Sequence, residues 1–507
     1  MGHLSLWASG AAGLPGADRS RRAAAAATSN LEPVAGDNFA YVASYATVDW
    51  TGDLQSRSID VTTGDVSPST DCSGVGVTTT ISGLSGATTI TVGSAAELLV
   101  GATVTGTGIA SGAVITAISG TNVTLSVANT GAVSGNGNFK YGCQWSAQSK
   151  LDNLSWSARN IYMAPSTPTT GAALRLFTYA NLSGGEPAYF SPSTLSQYAA
   201  LSVSNASDIT ASNLVDFLRG NRGLEQDGDI SHAQIWRRRP HVFGDIVNTQ
   251  PIYMKAPSAS YVDSGYAAFK ASGTAASRKP VVFVSAQDGM VHAINAHTSS
   301  VTMGGRTVAP GEEIWAYIPT RVLPSMKVLA DVNYAHRYFV DGQITIADVD
   351  FGSGDWHTIL VGGQGAGGTS YYALDVTDPL SPKYLWEFTH TDLGYTISNV
   401  IVSKLHNGEW AVFFSSGYNN EVSGSSGDGS GNTAGGARSG HRIGAGGPVP
   451  VQRAVVPVRG RRDAARRAVA GSGAAHGGAV AQCRRGRRLH GVPGDELHRL
   501  LAKAGHW

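Results

Sequence analysis

From Asn38 onward the chain alternates apolar and polar positions in short runs. The stretch "NFAYVASYATVDWTGDLQSRSIDVTTGDVS" holds two such runs parted by Gly and Asp, which predicts strands joined by tight turns. Between Cys72 and Cys143, "TTTISGLSGATTITVGSAAELLVGATVTGTGIASGAVITAISGTNVTLS" sets β-branched residues between Gly/Ser turns, which predicts an inserted β module. The texture from 144 to 240 is mixed. One helix is expected there in "SNLVDFLRGNRG", with Ser212 as its N-cap and Gly220 as its stop.

A repeat follows. Three successive segments share an order of parts: first "GDIVNTQPIYM", "GQITIADVDFG" or "TISNVIVSKL"; then "VVFVSAQDG", "TILVGGQG" or "WAVFFSSGYN"; then "MVHAINA" or "SYYALDV". The first two continue into "EEIWAYIP" and "KYLWEFTH", each centred on a Trp. Four hairpin-linked strands per unit, with Gly/Asp turns and a Trp on the last strand, predict an incomplete β-propeller of about three to four blades. Within it, Asp288-Gly289 is expected to turn a hairpin. An unclosed propeller exposes strand edges and apolar blade faces that normally pack on neighbours, so the chain expressed alone is expected to be aggregation-prone.

After Asn420 the strand pattern stops. Phe and Tyr are absent beyond Tyr418, and Gly, Ala, Arg and Pro dominate, as in a GC-rich gene read out of frame. A frameshift between about Asn420 and Arg438 is one reading of this tail; a natural basic tail is the other. The chain accordingly divides into a disordered head, 1–37; first propeller-like strands, 38–71; the β insertion, 72–143; a connecting region, 144–240; propeller blades, 241–420; and a low-complexity basic tail, 421–507, expected to be disordered.

Composition agrees with a mainly β protein: 64 Gly and only 14% charged residues in 507 positions. The net charge of +1 hides an asymmetry, because residues 438–507 hold 14 Lys+Arg against 3 Asp+Glu, leaving 1–437 at −10. An acidic body argues against nucleic-acid binding, which needs a clustered basic face. No apolar run reaches the roughly 18 residues of a membrane-spanning helix. The first residues lack the charged-then-apolar layout of a secretory signal, so either the protein is cytosolic or its true start is missing. Cys72 and Cys143 bracket the β insertion as a loop-closing disulfide would; two free buried thiols are the equal alternative, and Cys483 has no evident partner.

The segments "GDIVNTQPIYM", "VVFVSAQDGMVHAINAHT", "GEEIWAYIPTRVLPSMKVL", "NYAHRYFVDGQ", "ILVGGQGAGGTSYYALDVTDPLSPKYLWEF" and "FFSSGYNN" together resemble the conserved domain of the type IV pilus proteins called PilY1 or PilC. The stretch "YVASYATVDWTGDLQSRSID" is similar to what precedes that domain in the same family, so the resemblance covers 39–71 and 145–420. It implies a quinoprotein-like propeller on an exported, non-enzymatic factor found in the periplasm, the outer membrane, the pilus tip or the cell surface. Such a factor assists pilus assembly, counteracts retraction and acts as a tip adhesin. The implied partners are pilus components (minor pilins) and host or abiotic surfaces. The family's Asp-rich calcium loop would fall beyond "GYNN", where only the aberrant tail stands, so calcium belongs to the full-length family and no ligand is carried over. The product could also be a fragment without function.

Two other functions compete. The "DGMVHAINAHT…EEIWAY" blade looks like those of pyrroloquinoline-quinone dehydrogenases, which would make this a periplasmic dehydrogenase fragment. A secreted surface- or carbohydrate-binding propeller is the blander option.

No catalytic or cofactor-binding residue is assigned. Asp348, Asp350 and Asp355 in "DVDFGSGDW" could offer calcium its oxygens, although a hairpin turn uses the same residues. "GGQGAGG" has dinucleotide-fingerprint spacing, but "TSYYALDV" after it alternates like a strand, which favours a hairpin. His336, Arg337 and Asp341 could form an acid–base group, and are favoured as structural, as is Asp245. "WRRRP", Trp236 to Pro240, is expected to be a solvated linker.

Overall fold

Strands form where apolar runs meet Gly and Asp turns. The computed structural model describes residues 39–418 apart from short internal stretches, together with the backbone of Arg21–Thr28 and Arg453–Pro457. The chain divides into two units, Met1–Arg461 and Arg462–Trp507, and the second lies outside the described residues. So do Cys483 and the stretch 419–452, on which the frameshift reading falls.

The first blade is the antiparallel series Ile252–Met254, Val281–Ser285, Val291–Asn295 and Glu313–Ile318. The Asp288-Gly289 corner turns its central hairpin, with Gly289 at φ 90°, a conformation that costs Gly nothing. The second blade runs Ile344–Asp350, Trp356–Gly363, Tyr371–Asp375 and Lys383–Phe388. A third blade begins with Ile401–Lys404 and Trp410–Ser415, and Arg453–Pro457 pairs with the latter. On the other side lies a sheet ordered Arg21–Thr28, Phe39–Ala46, Thr51–Ser58, Cys143–Ser146. The strands at 21–28 and 453–457 sit where the sequence pattern suggests none. Pairing at a sheet edge uses backbone groups and needs no side-chain alternation.

Side chains on a strand alternate between faces, and here both faces are filled. Val282, Val284 and Ile294 pack with Tyr41, Ala43 and Leu54 of the N-terminal sheet. Their neighbours Val281, Phe283, Val291 and Ala293 share a core with Ile344, Leu360, Tyr372 and Leu374 of the second blade. Ile359, Val361, Tyr371 and Ala373 in turn meet Trp410, Val412 and Phe414 of the third. The first and second blades are therefore each sandwiched between the sheet before and the sheet after, as propeller blades are. The Trp315 indole donates to the Pro379 carbonyl at 2.7 Å, tying the last strand of the first blade to the second.

The connecting region supplies edge strands. Ile161–Met163 pairs in parallel with Glu313–Ile318 and Ala172–Ala173 pairs with Lys383–Phe388, so both blades have covered outer edges. Its principal helix is Ala211–Leu218, and the N-cap is Thr210, whose hydroxyl accepts from the Asn213 amide; this corrects the expectation of Ser212. Thr210 has the extended backbone that a cap requires, while Ser212 already lies in the first turn. Thr210→Ala is expected to cost about 1 kcal/mol, measurable as a lower urea midpoint.

The inserted module is a six-stranded sheet between Val77 and Lys140 with its own core, including Ile81, Ile90, Val123 and Phe139. Cys72 and Cys143 are joined by a disulfide at its base.

Candidate functional site

One backbone link recurs at the end of each blade where the second strand turns into the third. The Gln287 amide donates to the Asp245 carbonyl, Asp341 to Gln364 and Tyr395 to Tyr418, at 3.0, 3.0 and 2.7 Å. These links draw the chain leading into each first strand against the neighbouring turn. At Gly367 a Cβ would lie 2.1 Å from the Phe339 carbonyl oxygen and at Gly365 2.6 Å from the Asp341 backbone, so close backbone approach accounts for these two glycines of "GGQGAGG". The strand Tyr371–Asp375 follows that turn, and no helix N-terminus is present there to hold a phosphate.

Between the N-terminal sheet and the first blade, this end opens into a narrow cleft lined by Asp49, Trp50, Arg237, Asp245, Asp288 and Tyr334, among others. His336 Nε2 lies 2.8 Å from an Asp245 carboxylate oxygen, and the Trp50 indole stacks on the same imidazole at 3.5 Å between centroids. Trp50 holds φ at 51°, which is uncommon for a bulky residue. Burial raises the Asp245 pKa against the pull of His336. The Arg237 guanidinium sits 4.5 Å above the Tyr334 ring. His336 thus pairs with Asp245, not with Asp341. The Asp341 carboxylate instead accepts from the Asn248 amide and side chain and from Gln287.

Behind the cleft runs a buried charged chain. Asp288 accepts from the Gly244 amide and lies 3.1 Å from His292 Nε2. His292 Nδ1 is 2.8 Å from Glu313, which also takes two hydrogen bonds from the Arg159 guanidinium at 2.9 and 2.8 Å. Burial alone would lower the His292 pKa, but Asp288 and Glu313 outweigh it and push it up to about 9. Burial would raise Glu313, yet Arg159 and His292 hold it far below the usual carboxylate range. His292 is therefore an imidazolium at neutral pH. The carboxylates of Asp245, Asp341 and Glu313 and the His292 ring are all engaged by protein groups, which suits a surface of fixed shape better than a free base.

Sequence reasoning passed over Arg159, His292 and Glu313, although a signal was there. A lone ionisable residue in an otherwise apolar strand, as in "VHAIN" or "EIWAYI", must be paired to be buried.

The three aspartates singled out for calcium are dispersed. Asp348 accepts from Thr358 and from the Tyr266 hydroxyl, at 2.6 and 2.7 Å. Asp350 caps the amides of Gly352 and Gly354 in the hairpin turn, and Asp355 lies 3.4 Å from His357. This arrangement does not fit a calcium ion. Among the described residues no group of three His, Cys, Asp or Glu side chains is placed to hold a metal ion.

"WRRRP" is not a solvated linker, a second correction. Trp236 is buried in the core, and Arg239 is buried against Glu225 at 2.7 Å and over the Phe217 ring at 3.7 Å. Burial lowers the Arg239 pKa to about 10. A run of three arginines looks solvated in sequence because its distant partner is invisible there.

Residues 243–434 match the family model described as PilY1 beta-propeller domain. The chain is 36% identical over 291 residues to the type IV pilus biogenesis factor PilY1 of Pseudomonas aeruginosa strain UCBPP-PA14, covering 55% of this chain and 22% of that protein. It is 39% identical over 215 residues to a PilY1 homolog of Xylella fastidiosa, covering 40% of this chain and 16% of that protein. Among solved structures, the crystal structure of the Pseudomonas aeruginosa PilY1 C-terminal domain matches 33% of this chain and 31% of its own at 36% identity, with a TM-score of 0.25. The chain spans about a fifth of the length of the first of these curated relatives.

Proposed function

We propose that this chain is a type IV pilus biogenesis factor, a reading supported by the match of residues 243–434 to the PilY1 beta-propeller model. It works by surface binding on the blade end that carries the cleft of Trp50, Arg237, Asp245 and Asp288, and it performs no catalysis. The observation that carries the reading is the 36% identity over 291 residues to a protein named as such a factor. The committed carboxylates of that end support a recognition role over chemistry, since a general base needs a free lone pair within reach of substrate. The Cys72–Cys143 bridge supports an exported protein, because disulfides persist in oxidising compartments. Minor pilins are the proposed partners, with host or abiotic surfaces as the adhesive targets. No helix among the described residues is long and apolar enough to cross a membrane, which is compatible with attachment through the pilus.

The test is to tag the chain in its own host, shear pili from the cells and probe the pilus and envelope fractions. The tagged chain is expected in the sheared pili, and a deletion strain should lose surface pili. Finding it only in the cytosol, with piliation unchanged by the deletion, would refute the proposal.

A further inference from the structure

Three arginines line the cleft, and two of them are fully used. The Arg159 guanidinium holds Glu313 through two nitrogens and donates through the third to the Arg219 carbonyl at 2.8 Å. Arg239 donates to Glu225, to the Phe217 carbonyl at 2.9 Å and to the Asn221 carbonyl at 3.1 Å. Arg237 differs. Its backbone amide donates to the Ala330 carbonyl at 3.1 Å and its Nε to the Leu329 carbonyl at 2.9 Å, and its guanidinium rests over the Tyr334 ring. These contacts fix the side chain, yet its two terminal nitrogens have no acceptor and no ion pair among the described residues. Burial lowers the Arg237 pKa against the opposing pull of Tyr334, Glu225 and Asp245. A cation stripped of part of its water and left without a counter-ion is costly, and such groups gather where a ligand supplies the missing charge.

The acids nearby are committed elsewhere. Asp245 is engaged by His336 at 2.8 Å, Asp288 by His292 at 3.1 Å and Glu225 by Arg239 at 2.7 Å. Asp49, an exposed residue of the cleft wall, makes no ion pair with Arg237. A second arginine stands just outside. Arg337 is exposed, and its amide donates to the Tyr334 hydroxyl at 3.3 Å. Burial raises the pKa of that hydroxyl, and the charges of Arg237 and Arg337 both oppose the rise. Tyr334 is thus flanked by two guanidinium groups, neither of them matched by an acid.

Size and charge define what fits. The cavity has a volume of about 40 Å³, room for roughly three water-sized spheres. That matches the three heavy atoms of a carboxylate and is tight for a phosphoryl group. A guanidinium fork pairs with a carboxylate through two parallel hydrogen bonds. A single negative charge also suits a cleft that already holds Asp245 and Asp288, which would repel a second one.

We propose that Arg237 receives one Asp or Glu side chain from a partner protein, with Arg337 strengthening the attraction from the rim. The inference rests on the recognition role proposed above for this blade end, and it makes the partner's contact point acidic.

Isothermal titration of the full chain with a blocked peptide of alternating Gly and Glu, and with its Gly and Gln counterpart, tests it. The Glu peptide should bind and the Gln peptide should not. Arg237→Gln should weaken binding at least about 10-fold, and Arg337→Gln about 3-fold. Lys383→Gln removes an equal charge from an exposed position on the second blade and should change nothing. Because Arg337 is exposed, its variant reports on binding where Arg237→Gln fails to fold. Inorganic phosphate should displace the peptide no better than acetate at equal concentration. No binding of the Glu peptide, equal binding of the Gln peptide, or a loss in Lys383→Gln as large as in Arg237→Gln would overturn the proposal, as would stronger displacement by phosphate. These measurements use purified protein and a synthetic peptide, so their failure leaves the pilus reading to the sheared-pili experiment, which does not depend on Arg237.

Discussion

Glu313→Gln is expected to destabilise the protein by about 3–5 kcal/mol, because it leaves the buried cations of Arg159 and His292 with too little negative charge. The substitution preserves shape and one hydrogen-bonding oxygen, so the loss reports on charge and not on a cavity. All three groups are essentially without solvent contact, and no water is at hand to screen the imbalance. The wild-type pH profile carries the same signature. Glu313 has its pKa lowered from 4.5, so its contribution is present above about that pH and fades as acid protonates it. His292 is raised from 6.5 to about 9, so its contribution is full below about pH 6.5 and is lost as pH rises through 9. From these two groups stability should be highest between about pH 4.5 and 6.5, falling by up to about 3 kcal/mol on the alkaline side. In Glu313→Gln the alkaline fall should shrink, since Asp288 alone then holds the His292 proton. Urea denaturation across this range measures both effects; an alkaline limb that the substitution leaves intact would show that Glu313 does not sustain the imidazolium.

The blades were legible because their information is local. Gly289 must turn the hairpin that Asp288 begins, and strand parity around Phe283 and Val282 states which faces are buried. The pairing within the charged chain was illegible for the opposite reason, although the need for a partner was not: Arg159 and Glu313 stand 154 positions apart, and nothing near either residue names the other. The same holds for Arg239, whose partner Glu225 turns an apparent solvated run into a core contact, and for Trp50, which reaches His336 only after two sheets have packed. Edge strands as short as Ala172–Ala173 leave no periodic trace at all. The aspartates at 348, 350 and 355 show the converse error, in which closeness along the chain suggests a common site that the strand and its turn then divide.

Removing the Cys72–Cys143 bridge should also cost about 4 kcal/mol, the loop-closure entropy expected for a link across some 70 residues. The location of that loss is as informative as its size. Cys143 opens the strand Cys143–Ser146, whose register with Thr51–Ser58 fixes the outer edge of the N-terminal sheet. The module inside the loop is held separately: its strands Val77–Ser82 and Ser134–Lys140 pair directly, from Val77 opposite Phe139 to Thr80 opposite Asn136, around a core of its own. In Cys143→Ser, amide exchange should therefore quicken first in Thr51–Ser58 and Cys143–Ser146, while Thr89–Val92 and Asn122–Leu125 keep their protection. Uniform loss across the module would mean that the bridge holds the insertion itself together. Selective loss would mean that it fastens a self-sufficient module to the sheet beside the cleft. A reducing compartment would then loosen the support of Trp50 before anything else, because Trp50 immediately precedes Thr51–Ser58 and the cleft depends on that strand staying in place.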